Sequence, residues 1–155
     1  MIRKMAFAAM FLAGQGTAMA ASETCLRRGN VDQQATAAWK EMVRQAQPEF
    51  MKGIAGVWHA EIHAPMTGQT DSQYQIFQAD GQWEYRSQVC ANATFCSDFS
   101  GHGLFAGRML DDSQYTLMLM VSDLNRDRQC SGGTGRVIDS KTLQDSTGTV
   151  WRKVR

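Results

Sequence analysis

The sequence places its most reactive side chains in four short runs. His59-Ala60-Glu61-Ile62-His63 alternates two imidazoles with a carboxylate. On a strand, alternate residues project to the same face, about 6–7 Å apart. His59, Glu61 and His63 could then chelate zinc or copper, with His102 as a further ligand from a neighbouring strand. The competing reading is a solvated outer face. Asp123-Leu124-Asn125-Arg126-Asp127 has the spacing that opens a calcium loop. Arg128 stands where an EF-hand needs glycine and Thr134 where it needs glutamate, which excludes an EF-hand and leaves at most a looser calcium turn. Ser97, Asp98 and His102 are the ingredients of a hydrolase, but no G-x-S-x-G turn presents the serine. Met118 and Met120 share a strand face, where methionine serves as core filler more often than as a copper ligand. No catalytic signature emerges, and the chain reads as a non-enzyme.

These runs need elements to position them. Residues 30–47 read as an amphipathic helix: Val31, Ala35, Ala38, Trp39, Met42, Val43 and Ala46 form one apolar stripe, Asn30 can cap it, and Pro48 ends it. From Ile54 onward the period changes to two. Strands are predicted over 55–63, 72–78, 82–89, 101–108, 114–121, 130–138 and 148–154, separated by turn residues at short intervals. The 114–121 segment is apolar on both faces, so one face should lie under the helix. The pattern predicts a mainly β domain, an antiparallel up-and-down meander closed as a small barrel, with one N-terminal helix.

One hairpin can be read residue by residue. Asp80-Gly81 signals a two-residue type I′ turn. It would pair Gln78 with Trp83, Ile76 with Tyr85 and Tyr74 with Ser87. Tyr74, Ile76, Trp83, Tyr85 and Val89 would then share the inward face, as core or as the lining of a ligand cavity.

Residues 1–20 read as a secretory signal peptide. Arg3-Lys4 precede a short apolar run and the small triplet Ala18-Met19-Ala20. Cys25 lies too far beyond the apolar run to carry a lipid. The domain then spans 21–155, with the helix over about 30–47 and the barrel over about 54–155. Removing Arg3 and Lys4 leaves 14 basic against 15 acidic side chains, a net charge of −1. That balance predicts no attraction to nucleic acid, and no second apolar run is long enough to span a membrane. A periplasmic or secreted location follows. An even set of cysteines in an exported chain predicts two disulfides. Cys90 and Cys96 flank a short loop at two strand ends, and a bridge there would staple the hairpin. Cys25 with Cys130 would then tie the N-terminal segment to the barrel.

Gly56-Val57-Trp58 opens the first strand just after the helix and a connector. It resembles the G-x-W start of lipocalins and related calycin barrels. The resemblance implies a barrel whose base is closed by Trp58 and covered by a basic residue of the last strand, here Arg152. Seven strands are recognisable where lipocalins have eight. The function expected is binding of a small apolar or amphipathic molecule against Trp58, Tyr74, Ile76, Trp83 and Tyr85, with no cofactor beyond the zinc or copper option at His59, Glu61 and His63. The alternative is an inhibitor- or immunity-type interaction module with a filled barrel, touching a partner protein through loops 91–100 and 122–129.

Overall fold

The structure is a computed structural model that describes residues 23–64, 66–92, 94–122 and 128–155. The signal segment 1–20 and the acidic run 123–127 lie outside the described residues. Eight antiparallel strands form one closed up-and-down barrel: β3 (Gly56–Ala64), β4 (Gln69–Phe77), β5 (Gln82–Asn92), β6 (Phe95–Met109), β7 (Gln114–Ser122), β8 (Arg128–Asp139), β9 (Thr142–Asp145) and β10 (Val150–Lys153). Each pairs with its neighbour in sequence, and β10 closes on β3. The eighth strand missing from the sequence reading is β9. Its four residues are too few to show an alternation, and it is recognised by its pairing with β8 and β10.

Two short strands, β1 (Leu26–Arg27) and β2 (Asn30–Val31), precede helix α1 (Gln33–Gln45). Asn30 and Val31 are held in that ribbon, so the helix starts later than predicted and is capped by Asp32, whose carboxylate accepts from the Ala35 amide at 2.9 Å. Helix α1 packs outside the barrel. Trp39 is fully buried there among Ala106, Met118, Met120 and Cys25. That is why β7 is apolar on both faces: Met118 and Met120 face the helix, while Leu117 and Leu119 face the interior.

Pro48 ends α1 and also begins a second helix, α2 (Pro48–Ile54), which the sequence reading did not resolve. Proline suits the first helical position because that amide has no intrahelical partner. The connector is tied to β6 at two points: the Gln47 amide donates to the Gly107 carbonyl, and its side-chain oxygen accepts from the Met109 amide, both at 3.1 Å. Phe50 and Ile54, four residues apart on α2, plug the barrel base with Trp58, Tyr115, Leu143 and Trp151.

The G-x-W segment closes that base. The Trp58 indole donates to the Ile54 carbonyl at 2.7 Å. A side chain at Gly56 would overlap the Arg155 carbonyl and the Lys153 side chain, and its φ of 136° suits only glycine. The basic residue over Trp58 is Lys153, not Arg152: its ammonium sits 5.4 Å from the ring centroid and 3.2 Å from the Gly53 carbonyl. Trp151 points inward, so strand alternation turns Arg152 outward and Lys153 back in.

Cys25–Cys130 and Cys90–Cys96 form the two disulfides, as the spacing predicted. Two such bonds fit folding in an oxidising compartment. Among the described residues, no helix is long and apolar enough to cross a membrane.

Candidate functional site

The β4–β5 hairpin sets the inner wall, and its register differs by one residue from the predicted one. The chain turns through four residues, with the Gln78 amide bonded to the Gln82 carbonyl and the Gly81 amide to the Gln78 carbonyl. Only Gly81 is left-handed, at φ 92°, while the Asp80 carboxylate accepts from the Gln82 amide. Phe77 therefore pairs with Trp83, Gln75 with Tyr85 and Gln73 with Ser87. This brings Phe77 inside, edge-on to Phe105 with centroids 4.8 Å apart. The predicted register would have expelled it. Tyr74 and Ile76 consequently face outward, a correction to the expected ligand wall. Tyr74 is 38% exposed and packs tilted against His59, with ring centroids 4.5 Å apart, outside the barrel.

The lower interior is filled by Trp58, Phe77, Trp83, Phe105, Leu143 and Trp151. Above this layer small and polar side chains join Tyr85 and Val89 at the inward positions. Asp71 accepts from Ser87 at 2.5 Å and from the Gln73 amide group at 2.5 Å. On β8 the inward positions opposite Leu119 and Leu117 are Ser131 and Gly133, both exposed.

That exposure has a cause in the topology. β10 pairs with β3 only at Trp58 and His59, and β9 meets β8 no higher than Gly135. Among the described residues, 60–64 of β3 and 128–134 of β8 therefore have no strand partner on their facing sides. Among the described residues the wall is interrupted there, leaving a lateral gap. The turn between β9 and β10 forms its sill.

Behind that sill lies a cavity of about 170 Å³. Trp58, Phe77, Leu117, Leu119, Leu143 and Trp151 supply its apolar wall, and Gln75, Tyr115, Asp145 and Thr147 its polar one. Gly133 lines it too, and a side chain there would meet open space. Gly135 has the opposite role: a side chain would overlap the Tyr115 ring and hydroxyl.

Three polar groups define the chemistry. Tyr115 is only 4% exposed and lines the cavity. Burial and the charge of Asp145 push this phenol up to about 12, so it is protonated and able to donate at neutral pH. Gln75 accepts from the Trp83 indole at 3.1 Å, which directs its oxygen to that bond and leaves its amide hydrogens available. Burial opposes ionisation of Asp145. Hydrogen bonds from the Thr147 hydroxyl, the Trp151 indole and the Thr147 and Thr149 amides outweigh it, holding the carboxyl below its ordinary range. The Trp151 bond is 2.9 Å.

Of the residues expected to bind ligand, Trp58 lines the cavity. Trp83 stands behind Gln75, and Tyr85 stacks on Trp83 with centroids 6.2 Å apart. His59, Glu61 and His63 lie on the outer face of β3. His59 meets Ser72 at 2.9 Å, and His63 lies 3.8 Å from Glu61. His102 is three strands away, opposite Glu84. Among the described residues no three His, Cys, Asp or Glu side chains gather as a metal site. Ser97 sits on the inward register of β6, and Asp98 and His102 on the outward one, so they do not converge. Gln75, Tyr115, Asp145 and Thr147 were missed. Strand alternation groups Tyr115 with Leu117 and Leu119, and that was the available signal. No known protein-family profile, curated protein or solved structure matches the chain.

Proposed function

We propose that the chain is an exported binding protein that holds a small apolar or amphipathic molecule in a lipocalin-like barrel, periplasmic or secreted. The carrying observation is the cavity behind the β9–β10 turn, whose lining joins large apolar side chains to Gln75, Tyr115, Asp145 and Thr147. An apolar hollow with a few convergent polar groups is the usual form of a small-molecule site. A base sealed by Trp58 and Lys153, with open upper positions, is the arrangement expected of a binding barrel.

The interaction-module reading has its own support. Met66, Phe95 and Phe99 are exposed at the end of the barrel opposite α2, and the cavity is smaller than the roughly 300 Å³ at which drug-sized sites begin. Native mass spectrometry of the exported protein from its own source separates the two. A co-purified small molecule, displaced on partial unfolding, supports the binding protein. A ligand-free chain bound to a partner protein rejects it in favour of the module.

A further inference from the structure

We infer that the cavity selects an uncharged single-ring aromatic molecule with one hydrogen-bonding group, of the phenol class, admitted through the gap above the β9–β10 turn. The inference rests on the binding-protein reading and names the ligand class for the same site.

Size is the first constraint. An apolar protein cavity of about 150 Å³ accommodates benzene, and this one measures about 170 Å³. One ring fills it. A long acyl chain exceeds it, because the base beneath is blocked by Ile54, Trp58, Leu143 and Trp151. The shape of the wall is the second constraint. Trp58, Phe77 and Trp151 offer aromatic surfaces, and Leu117, Leu119 and Leu143 complete an apolar lining. Aromatic surfaces favour a ring in offset or edge contact.

Charge is the third constraint. Tyr115 and Gln75 both line the cavity, and a tyrosine hydroxyl can donate or accept while a side-chain amide can donate. Together they match a neutral hydroxyl on the ligand. Asp145 lies in the same wall, ionised and already satisfied by Thr147, Thr149 and Trp151. A ligand carboxylate would meet that like charge with no cation in the lining to offset it. Neutral heads are therefore preferred over anionic ones of the same ring size.

Access is the fourth constraint. The lining includes Gly133 on one flank and the residues 145–147 turn on the sill, so the open side is lateral. A side chain at Gly133 would project into open space at that passage.

Isothermal titration of the oxidised, signal-free protein with phenol, benzoate and decanoate tests this directly. Phenol should bind one to one, benzoate at least tenfold more weakly, and decanoate not at all. Tyr115→Phe should weaken phenol about fivefold, the worth of one neutral hydrogen bond, and leave benzene unchanged. Gly133→Leu should abolish phenol binding while the melting temperature holds, with Gly133→Val as the smaller probe if leucine impairs folding. Decanoate or benzoate binding as tightly as phenol would overturn the ligand class but keep the binding-protein reading. No binding of phenol, benzene or decanoate would overturn both. Phenol binding unaltered in Gly133→Leu and Gly133→Val would remove the ligand from this cavity.

Discussion

The two ends of the same barrel differ in what they put inside. At the base, successive inward positions carry Trp58, Phe77, Trp83, Tyr115 and Trp151, and α2 adds Phe50 and Ile54 from below. In the upper half β4, β5 and β8 present Asp71, Gln73, Ser87, Ser131 and Gly133. Strand alternation is identical in both. What changes is side-chain volume and the height of the wall, since β9 and β10 are only four residues long. Stability and binding meet at one layer: Trp58, Phe77, Tyr115 and Trp151 belong to the base core and also wall the cavity, while the upper half leaves space above them.

The largest expected effect tests the base. Trp151→Ala removes a buried ring and the indole bond to Asp145. It should cost about 3–5 kcal/mol by urea unfolding, as large-to-small aromatic changes do. Ser131→Ala in the exposed upper wall should stay within about 0.5 kcal/mol. Equal costs would erase the distinction between the two ends.

The disulfides offer a second contrast. Cys25–Cys130 spans 105 residues and Cys90–Cys96 spans 6. Loop-closure entropy predicts about 4–5 kcal/mol for the first and about 2–3 kcal/mol for the second. Paired serine substitutions compared by chemical unfolding check the order. A larger loss at Cys90–Cys96 would show that stapling the rim outweighs anchoring the helix side.

Tyr115 sharpens the boundary between the halves. Its phenol is raised in the folded state to about 12, above its ordinary 10. The unfolded chain therefore loses this proton first as pH rises. The contribution is whole below pH 10 and declines toward pH 12, by up to about 2–3 kcal/mol. Stability against pH should fall more steeply in the wild type than in Tyr115→Phe. Parallel curves would mean that the hydroxyl is solvated.

The smallest effect lies in the upper polar network. Ser87→Ala deletes the bond to Asp71 and should cost about 1 kcal/mol by urea unfolding. A change under a few tenths would show that water replaces it.

Much of this architecture was legible in the sequence, for identifiable reasons. The two-faced apolarity of residues 114–121 implied a barrel wall under a helix, and Met118 and Met120 do meet Trp39. The small spacing of Cys90 and Cys96 implied a hairpin staple. The hairpin register was not legible, because Asp80-Gly81 serves equally in a two-residue or a four-residue loop. Burial of Phe77 against Phe105 decides between them, and that contact joins residues distant in sequence. The same holds for the cavity: Gln75, Tyr115 and Asp145 come from three strands, and barrel closure brings them together. Lys153 in place of Arg152 followed from one fact, the inward direction of Trp151.

The most direct measurement is X-ray diffraction from a crystal pressurised with xenon, which enters dry apolar cavities. Xenon should appear between Leu117, Leu119, Leu143 and Trp151 in the wild type and be lost in Gly133→Leu. A wild-type crystal without xenon, in which the Tyr115 or Trp151 side chain fills that volume, would contradict an internal binding site.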